Sequence, residues 1–166
     1  MIMKKIAYIA AALLMVFGCK EPGPDTPVTP PDNPVNPPVT EETLAEKITG
    51  EWHCVVSDID ADIYLELMSD GKFELYQKIG EGSYRLYNGS WSIDKNNVLN
   101  GKYNDGTSWG SSYEAVISED KNSLTLTSTS AAIQEEYSYR RETIPVSVKD
   151  GCVVVVKSDD SFAPVL

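Results

Sequence analysis

Past Gly50 the apolar residues of this chain fall at every second position, and this spacing limits its fold more than any other feature. Alternation of that kind lines one face of an extended strand, whereas a helix would need apolar residues three and four apart. The pattern predicts short strands near 51–57, 62–68, 72–79, 84–94, 97–104, 111–118, 122–128 and 135–143. Ser69-Asp70-Gly71-Lys72 is an Asp-Gly hairpin signal between Ile63/Leu65/Leu67 and Phe73/Leu75, and Asp94-Lys95-Asn96-Asn97 and Glu119-Asp120-Lys121-Asn122 are polar reversals of the same kind.

Sequential short strands joined by tight turns, with no helical segment between them, give an antiparallel meander. Closing such a meander removes its unpaired edges, and eight strands enclose room for side chains or one small ligand. The fold expected for residues 41–166 is therefore all-β, an eight-stranded antiparallel up-and-down barrel, with a two-sheet β-sandwich as the alternative. A short helix should precede it. Thr40-Glu41-Glu42-Thr43-Leu44-Ala45-Glu46-Lys47-Ile48 offers Thr caps, Glu in the first turn, Leu44 and Ile48 four apart, and Gly50 as the stop.

Gly50-Glu51-Trp52 follows this helix and opens the first strand. It resembles the Gly-x-Trp motif of lipocalins, in which the Trp closes the barrel floor under a cationic side chain from the end of the last strand. In Tyr139-Arg140-Arg141-Glu142, either Arg140 or Arg141 stands where that partner would come. With the hairpin signal, Gly89-Ser90-Trp91-Ser92-Ile93 and Ser123-Leu124-Thr125-Leu126, residues 43–145 resemble the small lipocalin-like lipoproteins of Gram-negative bacteria. The resemblance implies a barrel with a small hydrophobic or amphipathic ligand at its open end.

If Trp91 faces inward, Tyr87 and Gly89 share its face, and the next two strands add Tyr103 and Tyr113. Gly89 and Gly101 would leave space beside the rings. Trp109 lies in a Gly/Ser-rich loop, so it is expected to be exposed, as a mouth residue or a glycan platform. Trp91, Tyr87, Tyr103, Tyr113 and Trp109 are thus the candidate ligand-binding set. Two other readings stay open: side chains that fill the interior, and a surface module that recognises a glycan or protein through its loops.

Cys152-Val153-Val154-Val155-Val156 is apolar on both faces and so should be covered, as an extra strand against the barrel edge or closure. Cys54 and Cys152 both lie in apolar stretches, where they can pair in an oxidising compartment or simply pack as thiols. His53 is the single histidine, and alternation with Trp52 turns it outward. With no second histidine to share a metal and no nucleophile motif, histidine-dependent hydrolysis is excluded and no metal or other cofactor is expected. Asp58-Ile59-Asp60-Ala61-Asp62 begins like a calcium loop, but Ile63 stands where the turn needs glycine and Ser69 where a bidentate Glu is required. The chain is read as non-enzymatic.

Residues 1–18 form a secretory leader: Lys4 and Lys5 are the positive region, Ile6 to Phe17 the apolar run, and Gly18 the small residue before a cut. Val16-Phe17-Gly18-Cys19 resembles the lipobox of bacterial lipoproteins, which implies that Cys19 becomes the lipidated first residue of the mature chain. Several acyl chains together hold far more firmly than the marginal grip of one. Eight of the ten prolines lie between Lys20 and Thr40, so residues 19–40 read as an extended tether. Lys20 directs the expected location to the outer membrane, on its periplasmic face or at the cell surface. Without its leader the chain carries 12 basic and 25 acidic residues. That balance argues against nucleic acid and against electrostatic attachment to anionic lipid, so the expected partners are the membrane through the anchor and a small ligand or glycan, with the chain a monomer.

Overall fold

The computed structural model describes residues 41–132, 134–157 and 164–166. The leader, Cys19 and the proline-rich tether lie outside the described residues.

Eight strands follow one another: β1 (Gly50–Val56), β2 (Ala61–Leu67), β3 (Lys72–Ile79), β4 (Arg85–Ile93), β5 (Val98–Tyr103), β6 (Tyr113–Ile117), β7 (Ser123–Ser128) and β8 (Glu136–Arg141). Each pairs antiparallel with the next. The sheet returns on itself where β1 also takes β8, with Trp52 opposite Arg141 and His53 opposite Arg140. It is a closed up-and-down barrel and not a sandwich, with strand limits within two residues of those the alternation predicts.

The turns work through side chains as well as glycine. Gly71 takes φ +80° in the β2–β3 hairpin, while Asn97 and Lys121 hold φ of 63° and 58° in the two polar reversals. Asp94 Oδ1 accepts from the Asn96 and Val98 amides at 2.8 and 3.0 Å, and Asp120 Oδ1 accepts from Asn122 at 3.1 Å. These Asp side chains mimic a backbone turn and stabilise the tight reversal locally.

Helix α1 (Leu44–Ile48) is a single capped turn under the barrel. Thr43 and Glu46 form a reciprocal capping box: Glu46 Oε2 accepts from the Thr43 amide at 2.7 Å and Thr43 Oγ1 from the Glu46 amide at 3.3 Å. Trp52 is fully buried and its indole N–H donates to the Ile48 carbonyl at 2.8 Å, tying helix to strand. Arg141 is the cationic partner: its guanidinium carbon lies 4.1 Å from the Trp52 ring centroid. The same group donates to the carbonyls of Thr49 (3.0 Å), Lys47 (2.8 Å) and Lys121 (2.8 Å). Arg140 turns outward to Glu142 instead. Gly50 holds φ +131°, and a Cβ there would stand 2.4 Å from Arg141 Nη1, so the glycine clears space for the guanidinium.

The interior is one buried cluster to which every strand contributes, with Trp52, Leu65, Leu75, Leu99, Leu124 and Tyr139 among its members. A second, smaller cluster lies outside the wall, where Tyr64, Tyr76 and Leu86 of β2, β3 and β4 are covered by Ile144 and by Val148 of α2 (Val146–Gly151). Odd and even positions of these three strands therefore both carry apolar residues.

Cys152-Val153-Val154-Val155-Val156, expected to be covered on both faces, is largely uncovered: Val153, Val154 and Val156 are 54, 67 and 49% exposed. Main-chain pairing holds this segment. β9 (Val153–Val154) runs parallel to the start of β4, with Val153 N–H donating to Tyr84 O (2.8 Å) and Val155 N–H to Leu86 O (3.0 Å). Only Val155 turns toward the core. The stretch finds room because β5 pairs with β4 only from Gly89 onward, so that the backbone of Arg85 and Leu86 takes β9 on that side.

Candidate functional site

Alternation along β3, β4, β5 and β6 brings the expected aromatics together inside the barrel. Tyr87, Tyr103 and Tyr113 are buried, as are Trp91 and Trp109. Ring centroids lie 6.1 Å apart for Tyr87–Tyr103 and 6.3 Å for Trp109–Tyr113, and Phe73 joins Tyr103 to Trp109 at 5.7 and 5.1 Å in edge-to-face contacts. Such geometry suits the aromatic quadrupole and adds about 0.5–1.5 kcal/mol per pair beyond burial.

Two expectations are corrected here. Trp109 is not exposed: it is 5% accessible. After β5 the chain folds back, with the Tyr103 amide donating to Thr107 O and the Trp109 amide to Gly101 O, and this lays the indole on Gly101. Nor do Gly89 and Gly101 leave space for a ligand. A Cβ at Gly101 would be 2.1 Å from the Trp109 ring, and one at Gly89 would be 2.0 Å from the Lys102 carbonyl oxygen. The protein itself uses both spaces.

A further occupant comes from the chain's own residues 164–166. Pro164 and Leu166 are buried, and Leu166 belongs to the same interior cluster as the aromatics. The Tyr103 hydroxyl donates to the Leu166 carbonyl oxygen, the Tyr113 hydroxyl to Val165 O at 3.3 Å, and the Val165 amide donates to Gln77 Oε1 at 2.8 Å. Among the described residues Gln77 is the one buried polar side chain that is not aromatic. Burial pushes both phenols well above their ordinary range, so they stay protonated donors.

Sequence reasoning missed Gln77 and the segment 164–166. The signal for Gln77 was present: Phe73, Leu75 and Gln77 alternate, so a polar amide falls on an inward-facing position. Trp91 is inside as expected, but its indole N–H is committed to Met68 O at 3.1 Å, capping the β2–β3 hairpin. Trp109 Nε1 and the Tyr139 hydroxyl are buried with no hydrogen-bond partner among the described residues, and an unmatched buried polar atom costs about 1–3 kcal/mol.

The cysteines do not pair. Cys54 is a buried thiol in the interior cluster, and Cys152 packs with the outer cluster, its Sγ donating to Lys149 O at 3.1 Å. The barrel wall lies between them. Burial pushes the Cys54 thiol up, away from the reactive thiolate form.

On the outer face His53 bridges two carboxylates, with Asp62 at 2.7 Å and Glu142 at 3.2 Å, and stacks on Tyr64 at 4.3 Å. Tyr84 donates to the other Asp62 oxygen at 2.5 Å. Burial alone would raise the Asp62 carboxyl, but these hydrogen bonds outweigh it and hold the group below its usual range. Among the described residues no cluster of His, Cys, Asp or Glu is arranged to hold a metal ion. Asp58 and Ile59 form a short 3-10 turn closed by Asp60 in the left-handed region.

A shallow groove of about 490 Å³ lies over β4, β5 and the β5–β6 connection, with Ser90, Ser92, Asn100, Ser108 and Ser112 around the edges of Trp91 and Trp109. No protein-family model matches the chain, and no curated protein matches it significantly. The eight-stranded barrel is compatible with a lipocalin-like ligand-binding fold.

Proposed function

We propose that this chain is a lipid-anchored envelope protein whose barrel binds a small hydrophobic or amphipathic ligand. One observation carries the reading: the interior holds Leu166 fully buried, with polar groups placed to meet the carbonyls and amide beside it. Small-molecule sites have this composition, a mostly apolar lining with a few placed hydrogen-bonding groups. The lipobox-like Val16-Phe17-Gly18-Cys19 supports the anchor.

Titration with an environment-sensitive apolar fluorophore, together with native mass spectrometry of the purified protein, tests the binding reading. Saturable probe binding weakened by Tyr103→Phe, or a co-purifying apolar molecule, is the expected result. A protein that carries nothing and binds no probe, with or without residues 164–166, would sink it. For the anchor, Cys19→Ala should shift the protein out of the membrane fraction.

The groove favours a second reading, recognition of a glycan. Its serine and asparagine rim offers hydroxyl and amide partners beside aromatic edges. Glycan-array binding lost on Asn100→Ala would support that reading, and Trp109→Ala is unsuitable as its test because the ring is part of the core.

A further inference from the structure

The barrel interior meets main chain, and not only aliphatic surface, at residues 164–166. Gln77 Oε1 accepts the Val165 N–H, and two phenols donate to successive carbonyls, Tyr113 to Val165 and Tyr103 to Leu166. One N–H flanked by carbonyls is the polar outline of a peptide. An acyl chain carries no N–H to replace that of Val165, so it would forfeit the hydrogen bond to Gln77 Oε1. Proline, at 164, has no N–H of its own and is buried without needing an acceptor. The three residues thus satisfy the site as a ligand would: apolar side chains inward, and backbone groups bonded to Gln77, Tyr113 and Tyr103.

We propose that the barrel contains a binding site for a short apolar peptide segment and that Pro164-Val165-Leu166 occupies it in cis as a built-in stand-in. This rests on the binding-module reading above and narrows its ligand to a peptide main chain bearing aliphatic side chains. The consequence is masking. A tethered occupant competes at an effective concentration that reaches the millimolar range, so a free peptide of modest affinity sees a site that is rarely vacant. Apparent affinity falls by the fraction of molecules whose site is open, and removing the occupant restores it. Trp109 Nε1 and the Tyr139 hydroxyl, both in the same buried cluster and without partners among the described residues, are hydrogen-bonding capacity that these three residues leave unused.

The test compares the full chain with Leu166→Asp, which drives the segment out because a buried carboxylate is unfavourable. The probe is the capped tripeptide acetyl-Pro-Val-Leu-amide, read by tyrosine and tryptophan fluorescence. Leu166→Asp should bind it at least about tenfold more tightly than the parent, and adding Gln77→Leu should remove most of that gain. A saturated fatty acid should gain less than the peptide. Equal peptide affinity in the two chains would overturn the masking, and an equal gain for the fatty acid would overturn the peptide preference, while either outcome leaves the binding module standing. Binding of neither probe by either chain would remove both. A readout on the unsubstituted protein stands apart from how the variant folds: hydrogen exchange at the Val165 amide should be slowed well below the rate of an unstructured peptide and should speed up on adding the tripeptide. Exchange at the unstructured rate would overturn the proposal.

Discussion

The Arg141 guanidinium lies 4.1 Å over the Trp52 ring while donating to three carbonyls, those of Lys47, Thr49 and Lys121. One side chain from the last barrel strand thereby joins the first strand, the helix below it and the β6–β7 turn. The side chain of its neighbour Arg140 makes an exposed pair with Glu142 instead. Arg141→Ala should lower unfolding free energy by about 2–4 kcal/mol, from a lost cation–π contact and unmatched carbonyls. Arg140→Ala should leave the midpoint close to that of the parent, because an exposed ion pair contributes little. Urea midpoints of the two variants check this, and equal shifts would contradict the floor assignment.

Gly101 lies eight residues before Trp109 and Gly110 directly after it. A methyl group at Gly101 meets the indole, whereas nothing lies within 4 Å of one at Gly110. Gly101→Ala should cost about 1–3 kcal/mol by overpacking and shift the tryptophan emission. Gly110→Ala should leave both stability and emission close to those of the parent.

Cys54 and Cys152 face opposite sides of the wall, so both thiols should react with alkylating reagent in denaturant without any reductant. In the folded protein Cys152, half-buried on the outer surface, should label well before Cys54, which requires the core to open. A mass showing no labelling after unfolding would mean that the two had bridged.

Asp62 is held below its usual range against the opposing effect of burial, through hydrogen bonds from Tyr84 and His53. A carboxyl depressed by folding contributes stability that is present above its unfolded value, about 3.9, and is lost as pH falls through the folded one. The urea midpoint should therefore drop as pH is lowered below about 4, and the drop should be smaller in Asp62→Asn. An identical acid limb in the variant would show that the outer network does not couple to folding.

How much of this was legible in the sequence depends on the range of the interactions involved. Period-two patterning and Asp/Asn-rich turns are local, so the strand limits and the meander could be read directly, and Gly50-Glu51-Trp52 marked the floor. The choice between Arg140 and Arg141 needed register: Trp52 pairs with Arg141, and only that side chain can reach the indole. Trp109 was misplaced because Gly and Ser neighbours describe a loop but say nothing of the fold-back that lays the ring on Gly101. Val153 and Val154 were expected to be covered on hydropathy alone, yet an unpaired stretch of β4 recruits their backbone and leaves the side chains outside. Residues 164–166 are too few to show any period, so their place in the core could not be read from pattern.

The two register pairs that close the wall, Trp52 with Arg141 and His53 with Arg140, join positions at opposite ends of the meander. Such a junction must overcome the loop entropy of nearly the whole domain before it is rewarded, and topologies dominated by distant pairings fold in milliseconds to seconds rather than microseconds. During synthesis β1 therefore waits with one ladder edge open until β8 has emerged. That interval is when the chain is most prone to pair with a neighbouring copy of itself.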